Sequence, residues 1–361
     1  MSEQPIQFSH APDGRPLFRR DHKKTDGRII RLYGYRPPDQ PPLNDGLDAA
    51  PGASHLRFHP LRGEWNIYAA ARQDRTFQPS AANNPLAPAQ PGAPATEIPF
   101  DTFELAVFEN RFPSLSRRDG SKGTEGHAAD IAPANGHCDV VVYTPEDTGS
   151  LATLSQARRV LLVKAWIDRY QALFDQGFDT VLPFENRGQE VGVTLSHPHG
   201  QIYAFDMTPP VQKAAADGFA NGFDLSRALA SWQDDYQIDA QGGVTAFAPP
   251  FARFPYETWL APTQRRRGPW AFTAEEIEGF AHLLGGMTAR YDKLFGRACP
   301  YMLSLHAAPK SADDTFHFTA QFYPLLRSPD KVKYLASVEQ ATSIFTVDIM
   351  PERTASEMRD L

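Results

Sequence analysis

Two long stretches of the chain carry apolar residues at helical spacing. Between Ser150 and Gln176, apolar side chains recur every three or four positions, and Gly177 follows as a stop signal. In the second stretch, Thr273 is followed three positions later by Glu276, which is the pattern of a capping box, and the apolar stripe ends at Gly296. We therefore predict one long helix over each stretch.

Runs of β-branched and aromatic residues predict strands. They occupy residues 140–143, 180–184, 201–205, 258–260 and 316–322. Pro183 has no backbone N–H to donate, so its strand is expected at a sheet edge or to end there. Loops are predicted where Pro, Ala, Asn and Gly accumulate, at 36–53 and 78–99, and over the polar, glycine-rich residues 116–136.

The chain repeats this order of features. Arg-Phe-Pro precedes each predicted helix, at 111–113 and 253–255. The glycine stop of each helix is followed, 20 and 21 residues later, by His197 and His317, and each of these opens a His-x-x-x-Gln-(Ile/Phe)-Tyr segment. From this duplication we predict an α+β fold of two related halves, each an antiparallel sheet with packed helices. The predicted domains are residues 1–208 and 209–361.

Composition narrows the functional classes. Of the 361 residues, 41% are hydrophobic, which is enough for a sizeable core and excludes wholesale disorder. A net charge of −7 argues against a nucleic-acid partner but allows a local arginine cluster for a small phosphorylated ligand. The sequence contains no apolar run of membrane-spanning length, and its 2 cysteines cannot form a disulfide framework. Its first residues have neither a basic nor an apolar stretch, so they are not expected to act as a secretory signal. A reducing cytoplasm is the expected compartment.

The strongest chemical signal is the motif His197-Pro198-His199-Gly200-Gln201. Alternate side chains of a strand share a face, so His197, His199 and Gln201 are expected on one face, with Gly200 leaving space for a ligand. A neutral imidazole is a nucleophile that phosphate oxygens do not repel, and a carboxamide can donate to a non-bridging oxygen. An isolated His-x-His is more often part of a structural strand, but the added proline, glycine and glutamine favour a reactive site.

The two halves act as controls for each other. A histidine kept only for packing could lie in either half, but Thr319 stands where His199 would fall in the second half. Any reaction therefore belongs to the first half.

The motif His-Pro-His-Gly-Gln resembles the active-site motif of the galactose-1-phosphate uridylyltransferase family, in the histidine-triad superfamily. The family's two histidine-triad-like domains agree with the repeated halves. The combination of similar segments is specific, although no single piece would be. They are Pro60-Leu61-x-Gly63-Glu64-Trp65, residues 72–77, Glu109-Asn110-Arg111-Phe112-Pro113, Phe184-Glu185-Asn186-Arg187-Gly188, Arg253-Phe254-Pro255-Tyr256-Glu257, Phe322-Tyr323-Pro324 and Lys333-Tyr334-Leu335-Ala336.

This resemblance implies a ping-pong nucleotidyl transfer. His199 would attack the α-phosphorus of UDP-glucose, and the uridylyl-histidine would then pass its group to galactose-1-phosphate. Gln201 would steady the phosphoryl oxygens, while His197 and its carbonyl would orient the nucleophile. A homodimer with active sites completed across its interface is also implied. The remaining substrate-binding candidates, each of which could instead have an ordinary structural or surface role, are Asn186, Thr194, Arg57, Arg72, Arg75, Arg111, Lys333 and Glu339.

Most of the family's metal ligands are missing from this chain. Family members commonly bind zinc through Cys-x-x-Cys and two histidines, of which only His197 remains; residues 84–88 carry no cysteine and Asp147 replaces the second histidine. At the second family metal site, His306 remains. Other residues stand at the further ligand positions of that site, namely Thr319, Gln321 and Ala215. We predict no metal and no cofactor, with hydrogen bonds or packing fixing residues 84–88 instead.

The leading hypothesis is an enzyme, a UDP-glucose–hexose-1-phosphate uridylyltransferase, with these small molecules as substrates and no nucleic-acid or membrane partner. A related nucleotidyltransferase acting on another nucleotide sugar or acceptor stays open, since Ser337 replaces a family glycine and puts the sugar and base preference in question. A non-catalytic, nucleotide-sugar-binding family member also stays open. The missing metal ligands favour such a binder, whereas the intact His199 and Gln201 argue against it.

Overall fold

The structure, a computed structural model, describes residues 4–50, 54–70, 72, 83–117 and 130–361. Its strands are β1 (Ile6–His10), β2 (Pro16–Lys23), β3 (Ile29–Gly34), β4 (His55–His59), β5 (Glu64–Tyr68), β6 (Leu105–Glu109), β7 (Ile131–Pro133), β8 (Gly136–Val142), β9 (Thr180–Arg187), β10 (His199–Phe205), β11 (Gln237–Gln241), β12 (Val244–Phe247), β13 (Thr258–Pro262), β14 (Tyr301–His306), β15 (Thr319–Pro324), β16 (Leu326–Ser328) and β17 (Lys331–Val332). Its α-helices are α1 (Gln156–Asp175), α2 (Pro210–Ala220), α3 (Leu225–Ser231), α4 (Gln233–Tyr236), α5 (Ala274–Phe295), α6 (Ser337–Thr342) and α7 (Pro351–Arg359).

Twelve of the described strands form one sheet, in the order β1-β2-β3-β6-β8-β10-β9-β14-β15-β13-β12-β11, and neighbouring strands are antiparallel throughout. Smaller sheets are formed by β5-β4-β7 and by β16-β17. Strand β9 pairs with β10 of the first half and with β14 of the second, so the two half-sheets are joined into one. The α+β class and the antiparallel halves are thereby confirmed. The boundary between residues 208 and 209 stays a prediction.

The long helices α1 and α5 pack on one face of the sheet and against each other. Trp166 of α1 and Phe280 of α5 belong to the same buried cluster as Ile202 of β10, which places the main core between the helices and the sheet. Gly285 of α5 lets the helices approach, since a Cβ there would lie 2.5 Å from a guanidinium nitrogen of Arg159 on α1. Within the described part of the chain, none of the helices combines the length and apolar character needed to cross a bilayer.

The predicted start of the first helix at Ser150 is wrong. Helix α1 begins six residues later, because the side chain of Ser155 accepts a hydrogen bond from the backbone N–H of Arg158 and caps the helix there. Ser150 belongs instead to a turn in which its N–H donates to the hydroxyl of Thr153 at 2.9 Å. The predicted stop is confirmed, since Gly177 follows the helix with a φ of 87°.

The second long helix begins and ends as predicted. The capping box of Thr273 and Glu276 is present, with the Thr273 hydroxyl accepting from the Glu276 N–H at 3.1 Å and the Glu276 carboxylate accepting from the Thr273 N–H at 2.7 Å. Gly296 ends α5 in the left-handed region, with a φ of 65°.

Pro183 lies in an interior strand, so the prediction of an edge strand is wrong. Strand β9 pairs with β10 over residues 180–184 but with β14 only over residues 184–187. The pairing with β14 therefore stops next to Pro183, which is why a residue without an N–H is tolerated there. Two further boundaries differ from prediction. Residues 316–318 precede β15, and the predicted loop at 116–136 contains β7, which pairs with β4.

A row of side chains runs across the middle of the sheet on the face opposite to α1 and α5. Ile202 and Ala320, which are next in sequence to two residues of this row, belong to the core under the helices. Because successive side chains of a strand point to opposite faces, the row itself lies on the other face. We call this side the open face. From β8 to β13 the row consists of Val140, Gln201, Phe184, Ser304, Gln321 and Trp259.

Candidate active site

His199 is the first residue of β10 and lies opposite Val142 of β8. Gln201 follows on the same face and pairs with Phe184 of β9. Asn186 lies two residues beyond Phe184 on that face, so the antiparallel register puts it beside His199. The sheet thus brings one imidazole and two carboxamides together on the open face.

His199 lies between two cavities. The arginine cavity, of about 320 Å³, is lined by His199, Gln201, Asn186, Thr194, Arg72 and Arg111, among others. The strand-end cavity, of about 470 Å³, is lined by His199, Asn186, Tyr143, Glu185, Arg187 and His197, among others. Because His199 lines both cavities, a group attached to its ring has space on either side.

A hydrogen bond of 2.7 Å joins Nδ1 of His199 to the backbone carbonyl oxygen of His197. A carbonyl oxygen only accepts, so Nδ1 carries the proton and Nε2 of the neutral ring keeps its lone pair. Burial lowers the pKa of His199, and the hydrogen bond to the carbonyl opposes that shift only in part. At neutral pH the ring is therefore an uncharged nucleophile.

The structure corrects what the motif predicted for His197. Strand β10 begins at His199, so His197 precedes it, and its side chain is 1% exposed. Its ring nitrogens are engaged by Asn84 at 2.8 Å and by the carbonyl oxygen of Thr144 at 2.7 Å rather than presented to a ligand. What His197 offers to the site is its own carbonyl oxygen, bound to His199.

Gly200 also differs from its predicted role. A Cβ at this position would lie 2.3 Å from the hydroxyl oxygen of Tyr143 and 2.9 Å from the carbonyl oxygen of Phe184. Residues 199 and 200 point to opposite faces of the strand, so the missing side chain makes room for Tyr143 on the core side and not for a ligand on the open face.

Of the candidate arginines that the structure describes, Arg72 and Arg111 line the arginine cavity. The Nε of Arg111 is buried and has no hydrogen-bond partner among the described residues. Arg72 donates to the carbonyl oxygen of Phe112 at 2.9 Å and to the hydroxyl of Tyr203 at 3.3 Å. These two guanidinium groups bring positive charge to the same cavity as His199.

Arg57, a further candidate, is not among the described residues that line this cavity. Arg57 lies on the three-stranded sheet, where its Nε donates to His55 at 2.9 Å and its guanidinium lies 4.5 Å from the centre of the Tyr68 ring. This arrangement agrees with the ordinary structural role that the sequence left open for Arg57 beside substrate binding. Arg75 lies outside the described residues.

Comparison with known proteins identifies the family. A galactose-1-phosphate uridylyltransferase of Thermotoga maritima is 35% identical, over 84% of this chain and 98% of its own length. One of Streptomyces lividans is 30% identical, over 93% of this chain and 96% of its own length. This chain belongs to the galactose-1-phosphate uridylyltransferase family. The family's N-terminal domain, described as galactose-1-phosphate uridyl transferase, matches residues 45–209. A solved structure of a uridylyltransferase has a TM-score of 0.75 at 26% identity, covering 85% of this chain and 97% of that one.

The residues at the family's zinc position do not fit a metal ion. Nε2 of His197 donates to the carbonyl oxygen of Thr144, so its Nδ1 accepts from the amide of Asn84 and no lone pair is left for a metal. Asn84 also accepts from the backbone N–H of Leu86 at 3.0 Å, which fixes the start of the 84–88 loop. Among the described residues, no group of three or more His, Cys, Asp or Glu side chains is arranged to hold a metal ion.

The second family metal position also has a poor donor set for a cation. Nε2 of His306 is hydrogen-bonded to the hydroxyl of Ser304 at 2.8 Å. The amide of Gln321 donates to the hydroxyl of Thr319 at 2.8 Å. Neutral oxygen and amide groups that are bonded to one another do not replace the imidazoles expected there.

Lys333 and Glu339, the last two candidates, form an ion pair with each other. The Glu339 carboxylate is buried and also accepts from the N–H of Ala336 at 2.7 Å and of Thr346 at 3.0 Å. These bonds lower the pKa of Glu339 to about 2, the bond from Ala336 being the largest cause. Neither side chain lines the cavities beside His199.

Glu185 is a candidate that sequence reasoning missed. It is 6% exposed, lines the strand-end cavity and accepts a hydrogen bond of 2.8 Å from the hydroxyl of Tyr301, a residue of the second half. Burial raises the pKa of Glu185 to about 6. The sequence signal that could have identified Glu185 is its place in the Phe-Glu-Asn-Arg-Gly segment. If Asn186 faces the ligand, the preceding residue, Glu185, points toward the core, where an acidic side chain is unusual.

Proposed function

We propose that this chain is a UDP-glucose–hexose-1-phosphate uridylyltransferase that works through a covalent uridylyl-His199 intermediate. The observation that carries the proposal is the hydrogen bond from Nδ1 of His199 to the His197 carbonyl, which leaves Nε2 as a neutral nucleophile between two cavities. The curated relatives from Thermotoga maritima and Streptomyces lividans carry the name of this activity.

The proposed reaction has two half-reactions. In the first, Nε2 of His199 forms a bond to the α-phosphorus of UDP-glucose, the bond from that phosphorus to the glucose-1-phosphate oxygen breaks, and glucose-1-phosphate leaves. The proton stays on Nδ1, so the uridylylated ring is cationic and its hydrogen bond to the His197 carbonyl stabilises it. In the second, a phosphate oxygen of galactose-1-phosphate attacks the same phosphorus, the P–N bond breaks, and UDP-galactose leaves.

The neighbouring side chains supply the charge and hydrogen bonds that this transfer needs. Arg72 and Arg111 line the same cavity as His199, and the unpartnered Nε of Arg111 offers a donor to a diphosphate oxygen. Gln201 and Asn186 flank His199 on the open face, where their amides can donate to the non-bridging oxygens as charge redistributes. Thr194, on the wall of the arginine cavity, is assigned to phosphate or sugar binding.

The reaction is proposed to need no metal. Asn84 joins the 84–88 loop to the ring of His197, and this pair of hydrogen bonds holds the residue whose carbonyl orients His199. A neutral amide thus has the positioning role that a metal ion would otherwise have at this place.

We also propose a homodimer. Lys333 lies in a segment with exposed apolar side chains, among them Tyr334 at 78%, Leu335 at 55% and Ile344 at 72%, which is typical of an interface. Contact with a second copy would cover this segment and bring Lys333 near the other chain's cavities. Mixing His199→Ala chains with Lys333→Ala chains tests this arrangement. Activity returns in the mixture only if each active site contains residues from both chains.

Trapping the covalent intermediate tests the proposed function most directly. The purified chain is incubated with UDP-glucose labelled in the α-phosphate, and a uridylyl group is sought on His199 by peptide mass spectrometry. We expect one adduct per chain, release of glucose-1-phosphate, and no adduct in His199→Ala. Discharge of the isolated adduct by galactose-1-phosphate, with formation of UDP-galactose, then tests the second half-reaction.

The same assay separates the two alternatives. An adduct that forms faster from ADP-glucose than from UDP-glucose would identify a related nucleotidyltransferase. Binding of UDP-glucose without any adduct would identify a non-catalytic binder.

A further inference from the structure

A third cavity, of about 390 Å³, lies in the second half on the open face of the sheet. Its floor is formed by His306 of β14, by Thr319 and Gln321 of β15, and by His317 just before β15. None of its lining residues lines the arginine or strand-end cavity. We call it the aromatic cavity after the side chains of its walls, which are Phe219, Phe223, Phe251, Trp259 and Phe316.

The aromatic cavity is the counterpart, within the duplicated fold, of the site at His199. His317, Thr319 and Gln321 repeat the positions of His197, His199 and Gln201, and the residues of both sets line cavities. The register puts Gln321 in the same row as Gln201 and three strands away, a separation of about 14 Å. The second half has therefore kept a cavity at the ligand position of the first half.

The chemistry of this cavity differs from that of the first half. Among the residues that the structure describes, its lining contains no Lys, Arg, Asp or Glu, so a phosphate group would lose its water without gaining a counter-charge. Thr319 replaces the nucleophilic imidazole, and its hydroxyl is already bonded to the amide of Gln321 at 2.8 Å. A ligand of this cavity would be uncharged and would not react.

The walls are suited to an aromatic ring. The Phe251 and Trp259 rings meet edge to face with centroids 5.4 Å apart, and the Phe219 and Phe316 rings lie 5.1 Å apart. Phe251 is 49% exposed and Phe223 is 41% exposed, so the entrance itself is aromatic. Planar rings gain offset-stacked and edge-to-face contacts in such surroundings in addition to the burial of apolar area.

We propose that the aromatic cavity is a non-reactive binding site for a small, neutral, planar aromatic compound. Its volume is within the range of small-molecule sites and accommodates a bicyclic ring. The site is separate from the transfer reaction, so its occupation does not depend on the proposed uridylyltransferase activity.

5-Fluoroindole is a suitable probe because it is neutral and planar and its binding can be followed by ¹⁹F NMR on the full chain. We expect saturable binding with one site per chain. 5-Fluoroindole-2-carboxylate has the same ring with a negative charge and should bind about tenfold more weakly or worse, since the lining offers no cation. Equal binding of the two probes, or no binding of 5-fluoroindole up to its solubility limit, would overturn the proposal.

Gly218→Leu provides a variant that adds a large side chain at the wall of the cavity without breaking the fold. Gly218 lines the cavity from α2, and a Cβ there meets nothing within 4 Å, so a leucine extends into open space while improving helix propensity. We expect binding of 5-fluoroindole to weaken about tenfold or more. The matched control is Ala214→Leu on the same helix, which lies outside the lining and should bind the probe like the unchanged chain.

Transfer activity should be unchanged in both variants, because neither residue belongs to the site at His199. Unaltered probe binding in Gly218→Leu would place the probe elsewhere and refute the assignment. If sedimentation shows instead that Gly218→Leu, but not Ala214→Leu, dissociates an oligomer, the cavity receives a second copy of the chain and the small-molecule proposal fails.

Discussion

Nδ2 of Asn84 donates to Nδ1 of His197 at 2.8 Å across 113 positions of the sequence. The ring is buried and its other nitrogen donates to the carbonyl oxygen of Thr144 at 2.7 Å. Since the carbonyl of His197 in turn accepts from Nδ1 of His199, one chain of hydrogen bonds runs from the 84–88 loop to the nucleophile. The orientation of His199 therefore depends on a side-chain amide.

Replacing Asn84 tests that dependence. Asn84→Asp keeps an oxygen for the N–H of Leu86 but has no N–H for His197, so the buried Nδ1 loses its donor. We expect the free energy of unfolding to fall by about 1–3 kcal/mol and adduct formation on His199 to slow. Chelator treatment of the unchanged chain should alter neither quantity, and loss of activity on chelation would contradict the metal-independent arrangement.

Gly200→Ala should disrupt the active strand from its core side. The new methyl group would lie 2.3 Å from the Tyr143 hydroxyl oxygen, so β10 or Tyr143 must move, at a cost of about 1–3 kcal/mol. Removing that hydroxyl relieves the closest contact but leaves the Phe184 carbonyl oxygen at 2.9 Å, so Gly200→Ala combined with Tyr143→Phe should recover only part of the lost stability. Chemical denaturation of the single and double variants measures this coupling. A double variant no more stable than Gly200→Ala would exclude Tyr143 as the reason for the glycine.

The sequence predicted the duplicated fold and the position of His199 because both depend on local patterns. Alternation in a strand placed His199 and Gln201 on one face, and capping chemistry fixed α5 at Thr273 and Gly296. The first helix was placed too far toward the N-terminus because Ser150 and Ser155 are equivalent as local caps, and only Ser155 has the Arg158 N–H in reach.

Other features depend on contacts that lie far apart in the sequence. The sequence predicts Gly200 on the ligand side, because no sequence pattern shows that Tyr143 passes beneath it. The Phe-Glu-Asn-Arg-Gly segment points to an acidic side chain at Glu185, but no sequence pattern pairs it with Tyr301, which lies 116 positions away. The sequence makes Arg57 and Arg111 equal candidates for binding a diphosphate. Only the structure shows that Arg57 lies on the small sheet and Arg111 on the wall of the cavity.

The pH dependence of adduct formation should follow the ring of His199. The ring reacts only when neutral, and its pKa lies below the ordinary value of 6.5, chiefly through burial. The single-turnover rate of adduct formation should therefore fall to half of its neutral-pH value only at a pH below 6.5. Repeating the profile with Glu185→Gln removes the contribution of that carboxyl. A midpoint at or above 6.5 in both profiles would contradict a His199 ring that is kept neutral by its partly buried position.

Glu185→Gln should change stability in a pH-dependent way. Because the pKa of Glu185 rises from 4.5 to about 6 on burial, the folded chain holds this proton more tightly than the unfolded chain does. The protonated carboxyl of Glu185 contributes to the free energy of unfolding in full below pH 4.5. This contribution falls by about 2 kcal/mol as the pH rises through about 6. Glutamine carries no charge and can still accept from Tyr301, so the variant should be the more stable chain at neutral pH and show no gain at pH 4.5. The exposed Glu278→Gln is the control, and an equal gain there would remove burial as the cause.

Arg111 and Arg57 form a matched pair for the charge requirement of the transfer. Arg111 lines the cavity beside His199, and its Nε has no partner among the described residues, whereas Arg57 lies against Tyr68 on the small sheet. Arg111→Ala should slow adduct formation from UDP-glucose by about tenfold to a hundredfold, since a charge-assisted hydrogen bond to the diphosphate is lost. Arg57→Ala should leave the single-turnover rate within about twofold of the unchanged chain, because its guanidinium has no phosphate to bind in that position. Denaturation curves for both variants distinguish a lost contact from a damaged fold. A larger rate loss in Arg57→Ala than in Arg111→Ala, with both chains folded, would move the diphosphate out of the arginine cavity.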